Sequence, residues 1–172
     1  MHVRERQIML RIALVLTLYA AMLLAGGCRK NSPSTSDPLN DYLAMTSVLA
    51  DQLRRVQDEA HNERQMGKRV TDLKQTLADL ETVLATLPTE TAREASPLQE
   101  KARRSVGAYE DLWTFWHGEL QRASRAPSLA EQDKILGALI GEREKRFEQA
   151  EGLAKEFMAL HDALVSRNPP AL

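Results

Sequence analysis

Apolar residues recur every three or four positions from residue 38 to residue 168, which is the spacing of one face of an α-helix. Prolines divide this pattern into three runs. None of the runs alternates residue by residue, as a half-buried strand would. The sequence therefore predicts helices over about 38–87, 97–125 and 129–167. Short connections between them favour an all-α fold, an antiparallel three-helix bundle with a long first helix.

Capping residues mark where the predicted helices begin. Asp37 precedes Pro38, and a proline costs nothing in the first turn of a helix because its missing N–H has no partner there. Ser96-Pro97-Leu98-Gln99 and Ser128-Leu129-Ala130-Glu131 both have the form of a capping box. Residues 88–95 are then the first connection. The prolines expected to end the three helices are Pro88, Pro127 and Pro169.

The first predicted helix is too long for the second to cover. Antiparallel pairing leaves residues 38–58 beyond the bundle with an apolar stripe exposed, and such a stripe indicates a partner. Alternatively, the chain bends within 57–69 and folds back as a fourth helix. Residues 57–69 contain no proline and are mostly good helix formers, so we expect one continuous helix. Candidate partner contacts are Tyr42, Leu49, Leu53 and Val56 on the stripe, and Phe115, which lies off the apolar face of its own helix.

Three aromatic residues, Tyr109, Trp113 and Trp116, share one face of the second predicted helix. Antiparallel pairing brings the tryptophans near residues 66–71, where Gly67 leaves room for large rings. The first interpretation is a core layer. The alternative is a ligand cleft in which a cation stacks on a ring. Its candidate residues are Trp113, Trp116, His61 and His117, with Arg64 or Lys68 as the cation.

Two histidines lie at similar heights in the predicted bundle, but their neighbours do not favour a metal centre. Glu59 precedes His61 by two residues, and Glu119 follows His117 by two. This spacing points acid and imidazole to different sides of a helix. Carboxylate-bridged sites in bundles use Glu-x-x-His instead. We therefore predict no metal site and no cofactor.

The N-terminus has the pattern of an export signal. Three arginines precede an uncharged apolar stretch over 12–25, and the small residues Ala25-Gly26-Gly27 lead to Cys28, the single cysteine of the chain. The apolar stretch is short for a membrane-spanning helix, which needs about twenty residues. One cysteine excludes an internal disulfide. This segment resembles the lipobox of bacterial lipoproteins, with Ala25 where such motifs most often carry leucine.

The resemblance implies that residues 1–27 are removed by cleavage between Gly27 and Cys28, and that Cys28 carries diacylglycerol and an N-acyl chain. Several acyl chains on one residue give stable attachment to a bilayer. In such proteins an aspartate after the cysteine tends to retain the protein at the inner membrane, and this chain has Arg29 there. The resemblance thus implies the periplasmic face of the outer membrane, or alternatively the inner membrane, or the cell membrane of a host with only one.

Charge and motif content exclude other classes of function. Removal of residues 1–27 takes three basic and one acidic residue from totals of 23 and 24, which leaves a net charge of about −3. Charges of both signs are interspersed, so a nucleic-acid-binding face is not expected. No catalytic motif occurs, and the single thiol is committed to lipid, so we do not expect an enzyme.

These observations predict a lipid-anchored helical domain over 38–168, joined to Cys28 by a polar tether over 28–37 and followed by a tail over 169–172. The leading hypothesis is a membrane-anchored periplasmic lipoprotein that acts as a helical interaction or adaptor module, with a protein partner or self-association. One alternative is a bundle that binds a small ligand or a metal. Another is a structural spacer.

Overall fold

Four helices, each antiparallel to the one before it, form a bundle in the computed structural model, which describes residues 38–59 and 62–168. They are α1 (Pro38–Glu59), α2 (Glu63–Thr86), α3 (Thr89–Ser124) and α4 (Leu129–Arg167). The described part of the chain contains no strand. The all-α prediction is confirmed, and the four-helix alternative is correct. The expected three-helix bundle with a continuous helix over 38–87 is wrong.

The predicted first helix is divided in two: α1 ends at Glu59 and α2 begins at Glu63. The Asn62 side chain accepts a hydrogen bond from the backbone N–H of Gln65 at 3.2 Å, and the Asn62 carbonyl accepts from Met66. These are the bonds of a helix N-cap, which start α2 afresh. The chain therefore turns within 57–69, and α2 runs back along α1.

The second predicted helix begins eight residues earlier than its capping box indicates. Only Leu87 and Pro88 separate α2 from α3, so the predicted connection over 88–95 is mostly helical. Pro97 lies inside α3 on an exposed position, where the Arg93 carbonyl that its absent N–H leaves free can bond to water. The start of α4 agrees with the prediction, because Ser128 caps it by accepting from the N–H of Glu131.

Contacts between side chains fix how the helices run past one another. Lys74 of α2 bonds Glu110 of α3, and Glu81 of α2 bonds Arg103, which lies earlier in α3. As the residue numbers rise along α2, the numbers of the residues that they contact fall along α3, as antiparallel packing requires. Buried small residues let α3 and α4 approach closely, and the Ser105 hydroxyl donates to the Leu153 carbonyl at 2.9 Å across that contact.

The core runs between the four helices, and α1 supplies much of it. Leu49 and Leu53 are completely buried, and α1 is in contact with each of the other three helices. The largest fully buried side chains are Tyr42, Tyr109, Phe157, Leu49, Leu53, Met66, Leu73, Leu80, Leu98, Leu112, Gln99 and Val56. The shorter length of α1 and α2 leaves the end of α3 and the beginning of α4 projecting beyond them. We call residues 118–141 the hairpin tip.

Several predictions concern residues that the structure does not describe. The signal peptide over 1–27, Cys28 with its tether, His61 and the tail over 169–172 lie outside the described residues. Among the helices that are described, none is long and apolar enough to cross a bilayer.

Candidate functional site

The apolar stripe of α1, predicted to face a partner, is covered by the chain itself. Tyr42, Leu49 and Leu53 are 0% exposed and Val56 is 1% exposed. The prediction of an uncovered stripe is wrong because α2 folds back and α4 also packs on α1. These four side chains have no surface to offer a partner while the bundle is folded.

Phe115 is half-buried instead of exposed. The Arg146 guanidinium of α4 lies 4.5 Å from the centre of its ring, and Glu142 accepts a hydrogen bond from Arg146 Nε at 2.9 Å. A cation above a ring is an attractive contact, and the carboxylate orients it. This candidate partner contact is therefore partly covered by the chain's own α4.

The tryptophans lie where antiparallel pairing predicts. A Cβ atom built on Gly67 would be only 2.6 Å from Trp113 Nε1, so the absence of a side chain at Gly67 is what admits the indole. Trp116 is 7% exposed. Its stacking cation is Arg143 of α4, at 4.8 Å, and not Arg64 or Lys68. Both rings are thus packed against the chain's own helices, as a core layer requires.

His117 joins the beginning of α2 to α3. Its ring stacks on Trp113 with centroids 5.3 Å apart, and its Nδ1 lies 2.6 Å from Glu63 Oε1. The amide nitrogen of Gln121 lies 2.8 Å from His117 Nε2. A carboxylate accepts, so Nδ1 of His117 donates the hydrogen bond to Glu63. The His117 side chain therefore links α3 to the beginning of α2.

Replacing His117 by alanine is expected to lower the free energy of unfolding by about 1 kcal/mol, because the hydrogen bond to Glu63 and the stacking on Trp113 are both lost. Chemical denaturation followed by circular dichroism measures the change. Gln121→Ala is the matched control, since it removes only an exposed hydrogen bond, and we expect a change within about 0.5 kcal/mol. Equal effects of the two substitutions would contradict a stabilising role for the contacts of His117 with Glu63 and Trp113.

Two buried tyrosines lie at polar contacts inside the bundle. The Tyr42 hydroxyl donates to Gln99 Oε1 at 2.6 Å, and burial raises the pKa of Tyr42 well above its ordinary value. Burial also raises the pKa of Tyr109 to about 12; the negative charge of Glu151 adds to the rise, and the Gln57 side chain opposes it. Both phenols therefore stay neutral at physiological pH.

Ser47, His161 and Asp162 touch in the order of a hydrolytic triad. Ser47 Oγ lies 3.0 Å from His161 Nε2, and His161 Nδ1 lies 3.0 Å from Asp162 Oδ1. However, Ser47 Oγ also donates to the Leu43 carbonyl within the same helix. The backbone N–H groups around Ser47 are used by α1, so they cannot stabilise an oxyanion. The cluster links α1 to the end of α4 and has no catalytic geometry.

No group of three or more His, Cys, Asp or Glu residues in the described part of the chain could hold a metal ion. His61, one of the candidate ligand residues, is not among the residues described. His117 is held by Glu63 and Gln121 on both ring nitrogens, which leaves neither nitrogen open.

The hairpin tip carries the apolar surface that α1 was expected to carry. Three large hydrophobic side chains are exposed among the described residues, and two of them, Leu129 at 78% and Ile140 at 66%, lie on α4 in the tip. The third is Val48 of α1. Ala123 and Ile135 are buried here but lie outside the main core cluster. The tip thus exposes an apolar surface that nothing in the described chain covers.

Two surface clefts run between α3 and α4 in the hairpin tip, with volumes of about 340 and 480 Å³. Both contain Arg122, Glu131 and Ile135, so charged groups surround an apolar floor. The residues that line one or both are Gly118, Glu119, Gln121, Arg122, Arg125, Ala126, Pro127, Ser128, Ala130, Glu131, Lys134, Ile135 and Ala138.

Comparisons with known proteins give no relative for this chain: no family model matches it, and no significant match occurs among curated proteins or solved structures. Its function therefore has to be argued from its own residues.

Proposed function

We propose that this chain is a bacterial lipoprotein, anchored through acylated Cys28 at the periplasmic face of the outer membrane, that acts as a helical protein-interaction module. Its interaction surface is the hairpin tip. It is not an enzyme, and it carries no cofactor besides the covalent lipid.

The observation that carries the proposal is the separation between the first described residue and the exposed apolar surface. Tyr42, one turn into α1, bonds Gln99 in the first third of α3. Glu63, the first residue of α2 after α1 has ended, bonds His117, which comes directly before the hairpin tip. A helix of 36 residues such as α3 is about 54 Å long. A chain anchored before Pro38 therefore presents Leu129 and Ile140 far from its anchored end.

Anchoring is tested by Cys28→Ser in the full chain. Because acylation needs the thiol and lipoprotein cleavage follows acylation, we expect the variant to be absent from the outer-membrane fraction and to retain residues 1–27. Fractionation and mass spectrometry of the N-terminus measure both. The control is Ser32→Ala in the tether, which keeps the thiol. A wild-type chain that lacks acyl groups on Cys28 would contradict the proposed lipoprotein.

The interaction surface is tested by a photo-crosslinking amino acid at position 140 in the full chain, in the host cell. We expect protein adducts from position 140. Position 48 is the matched control, because Val48 is also an exposed aliphatic residue, at 53%, but lies on α1. Adducts from neither position would favour the structural spacer, and equal adducts from both would contradict a specific surface on the hairpin tip.

A further inference from the structure

We propose that the exposed face of α4 from Asp133 to Lys145, which begins in the hairpin tip, binds a second copy of this chain through parallel pairing. The inference deepens the proposed function, on which it rests, by naming the partner. It draws on an uncovered hydrophobic side chain, on the space around two glycines, and on the placement of four charges.

The exposed face of α4 between Asp133 and Lys145 is not used by the rest of the described chain. Ile140 is 66% exposed, and Gly137 and Gly141 beside it are exposed as well. A Cβ atom added at either glycine would meet nothing within 4 Å. Interior glycines cost a helix stability, and their compensation is close approach of another backbone. No other helix in the described part of the chain makes that approach.

Four charged residues flank the two glycines in a regular way. At about 100° per residue, Asp133 and Glu144 lie about 60° and 40° to one side of the direction midway between Gly137 and Gly141, and Lys134 and Lys145 lie about 40° and 60° to the other side. All four are exposed, and none of them takes part in an ion pair within the described residues. The face is therefore acidic along one edge and basic along the other.

This arrangement is complementary to itself only when two copies lie parallel. A two-fold axis along the helices places the basic edge of one copy against the acidic edge of the other at the same height. Lys134 then faces Asp133 of the second copy, and Lys145 faces Glu144. An antiparallel pair would instead bring Lys134 against Lys145, which is repulsive. In the parallel pair, Ile140 lies on the acidic edge of each copy, level with the gap between Lys134 and Lys145 of the other.

Parallel pairing also agrees with anchoring in one membrane. It leaves both copies with Pro38 at the same end, so that both lipid anchors can enter a single bilayer. One helix face is small compared with the roughly 1,000 Å² expected of a stable interface. Confinement to the bilayer raises the effective concentration of each copy, which allows a weak contact to form. Glu148, about two turns beyond Gly141, would face Glu148 of the second copy. Because two carboxylates repel each other, the contact ends near Lys145.

The test uses the full chain, carrying a donor or an acceptor fluorescent protein at its C-terminus, in phosphatidylcholine vesicles at fixed protein-to-lipid ratio. We expect energy transfer that unlabelled wild-type chain competes away. Two charge variants, Lys134→Glu with Lys145→Glu and Asp133→Lys with Glu144→Lys, should each weaken association about tenfold, the factor for 1.4 kcal/mol. Their equimolar mixture should regain wild-type transfer. Gly137→Leu should weaken association, whereas Gly152→Leu, at another open glycine of α4, should not.

Absence of competable transfer for the wild-type chain would overturn pairing, and so would charge variants that associate like wild type or a mixture that is not restored. These outcomes leave the proposed function standing if position 140 still gives adducts with a different protein. Adducts with the mass of two chains, together with restoration in the mixture, would support the second copy. Loss of all adducts from position 140 would instead count against the proposed function itself.

Discussion

Replacing Leu53 by alanine is expected to lower the free energy of unfolding by about 2 to 5 kcal/mol. Leu53 is 0% exposed, on the side of α1 that faces the other helices. The substitution removes buried apolar surface and leaves a cavity that close-packed neighbours fill only partly. Urea denaturation followed by circular dichroism at 222 nm measures the change.

The matched control is Val48→Ala, one to two turns earlier on the same helix. Val48 is 53% exposed, so we expect a change within about 0.5 kcal/mol. If Leu53 lay on an uncovered stripe, as the sequence suggested, its replacement would be as mild as that of Val48. Similar values for the two variants would therefore contradict a bundle in which α1 folds against α2 and α4.

A single added methyl group at Gly67 is expected to destabilise the bundle by about 1 to 3 kcal/mol. The new Cβ of Gly67→Ala would be 2.6 Å from Trp113 Nε1 and 2.9 Å from Cε2, so the rigid indole has to move. This cost exceeds the gain of about 0.5 to 1 kcal/mol that alanine usually brings to a helix interior. Thermal and chemical denaturation, with the fluorescence of Trp113 and Trp116 as a second probe, measure the effect.

Replacing Gly118 by alanine is expected to raise the free energy of unfolding instead. Gly118 lies inside α3, and an added Cβ would meet nothing within 4 Å. We expect this variant to gain about 0.5 to 1 kcal/mol from helix propensity alone. If Gly67→Ala also stabilises the protein, the contact between Gly67 and Trp113 is not as close as described.

Helix content and two starts of helices followed directly from the sequence, because they depend on local chemistry. Pro38 and the capping box at Ser128 both begin helices as predicted. The break before α2 also had a local signal that the prediction did not use. Asn62 is followed three residues later by Gln65, which is the spacing of an N-cap and its N3 residue. The prediction gave more weight to the helix propensity of the surrounding residues than to this capping signal. In the fold, the cap at Asn62 begins a new helix.

The capping box at Ser96 misled for a related reason. Its residues fit the start of a helix, but the chain is already helical from Thr89, and Ala95 is completely buried. Gln99, the expected capping partner, instead accepts the hydrogen bond of Tyr42. Burial of apolar surface across helices outweighs a local cap that contributes about 1 kcal/mol.

The sequence predicted that apolar residues would extend beyond the bundle, but it placed them on the wrong helix. A mismatch in helix length does leave apolar residues beyond the bundle, as the sequence argument required. It occurs in α3 and α4 and not in α1, because the turn before α2 halves the long first helix. The contacts of Trp113 with Gly67 followed from antiparallel register. The pairing of Arg143 and Arg146 with aromatic rings could not be foreseen, since it depends on the rotation of α4 about its own axis.

An even number of antiparallel helices returns the chain to the end where it started, so Asn168 lies at the same end of the bundle as Pro38. A label at Asn168 would therefore lie at the end of the bundle where α1 begins. A peptide inserted at the turn over 125–128 would be carried outward by the two longest helices. The fold thus offers attachment points at its two opposite ends, and a reporter at each would distinguish what approaches one end of the bundle from what approaches the other.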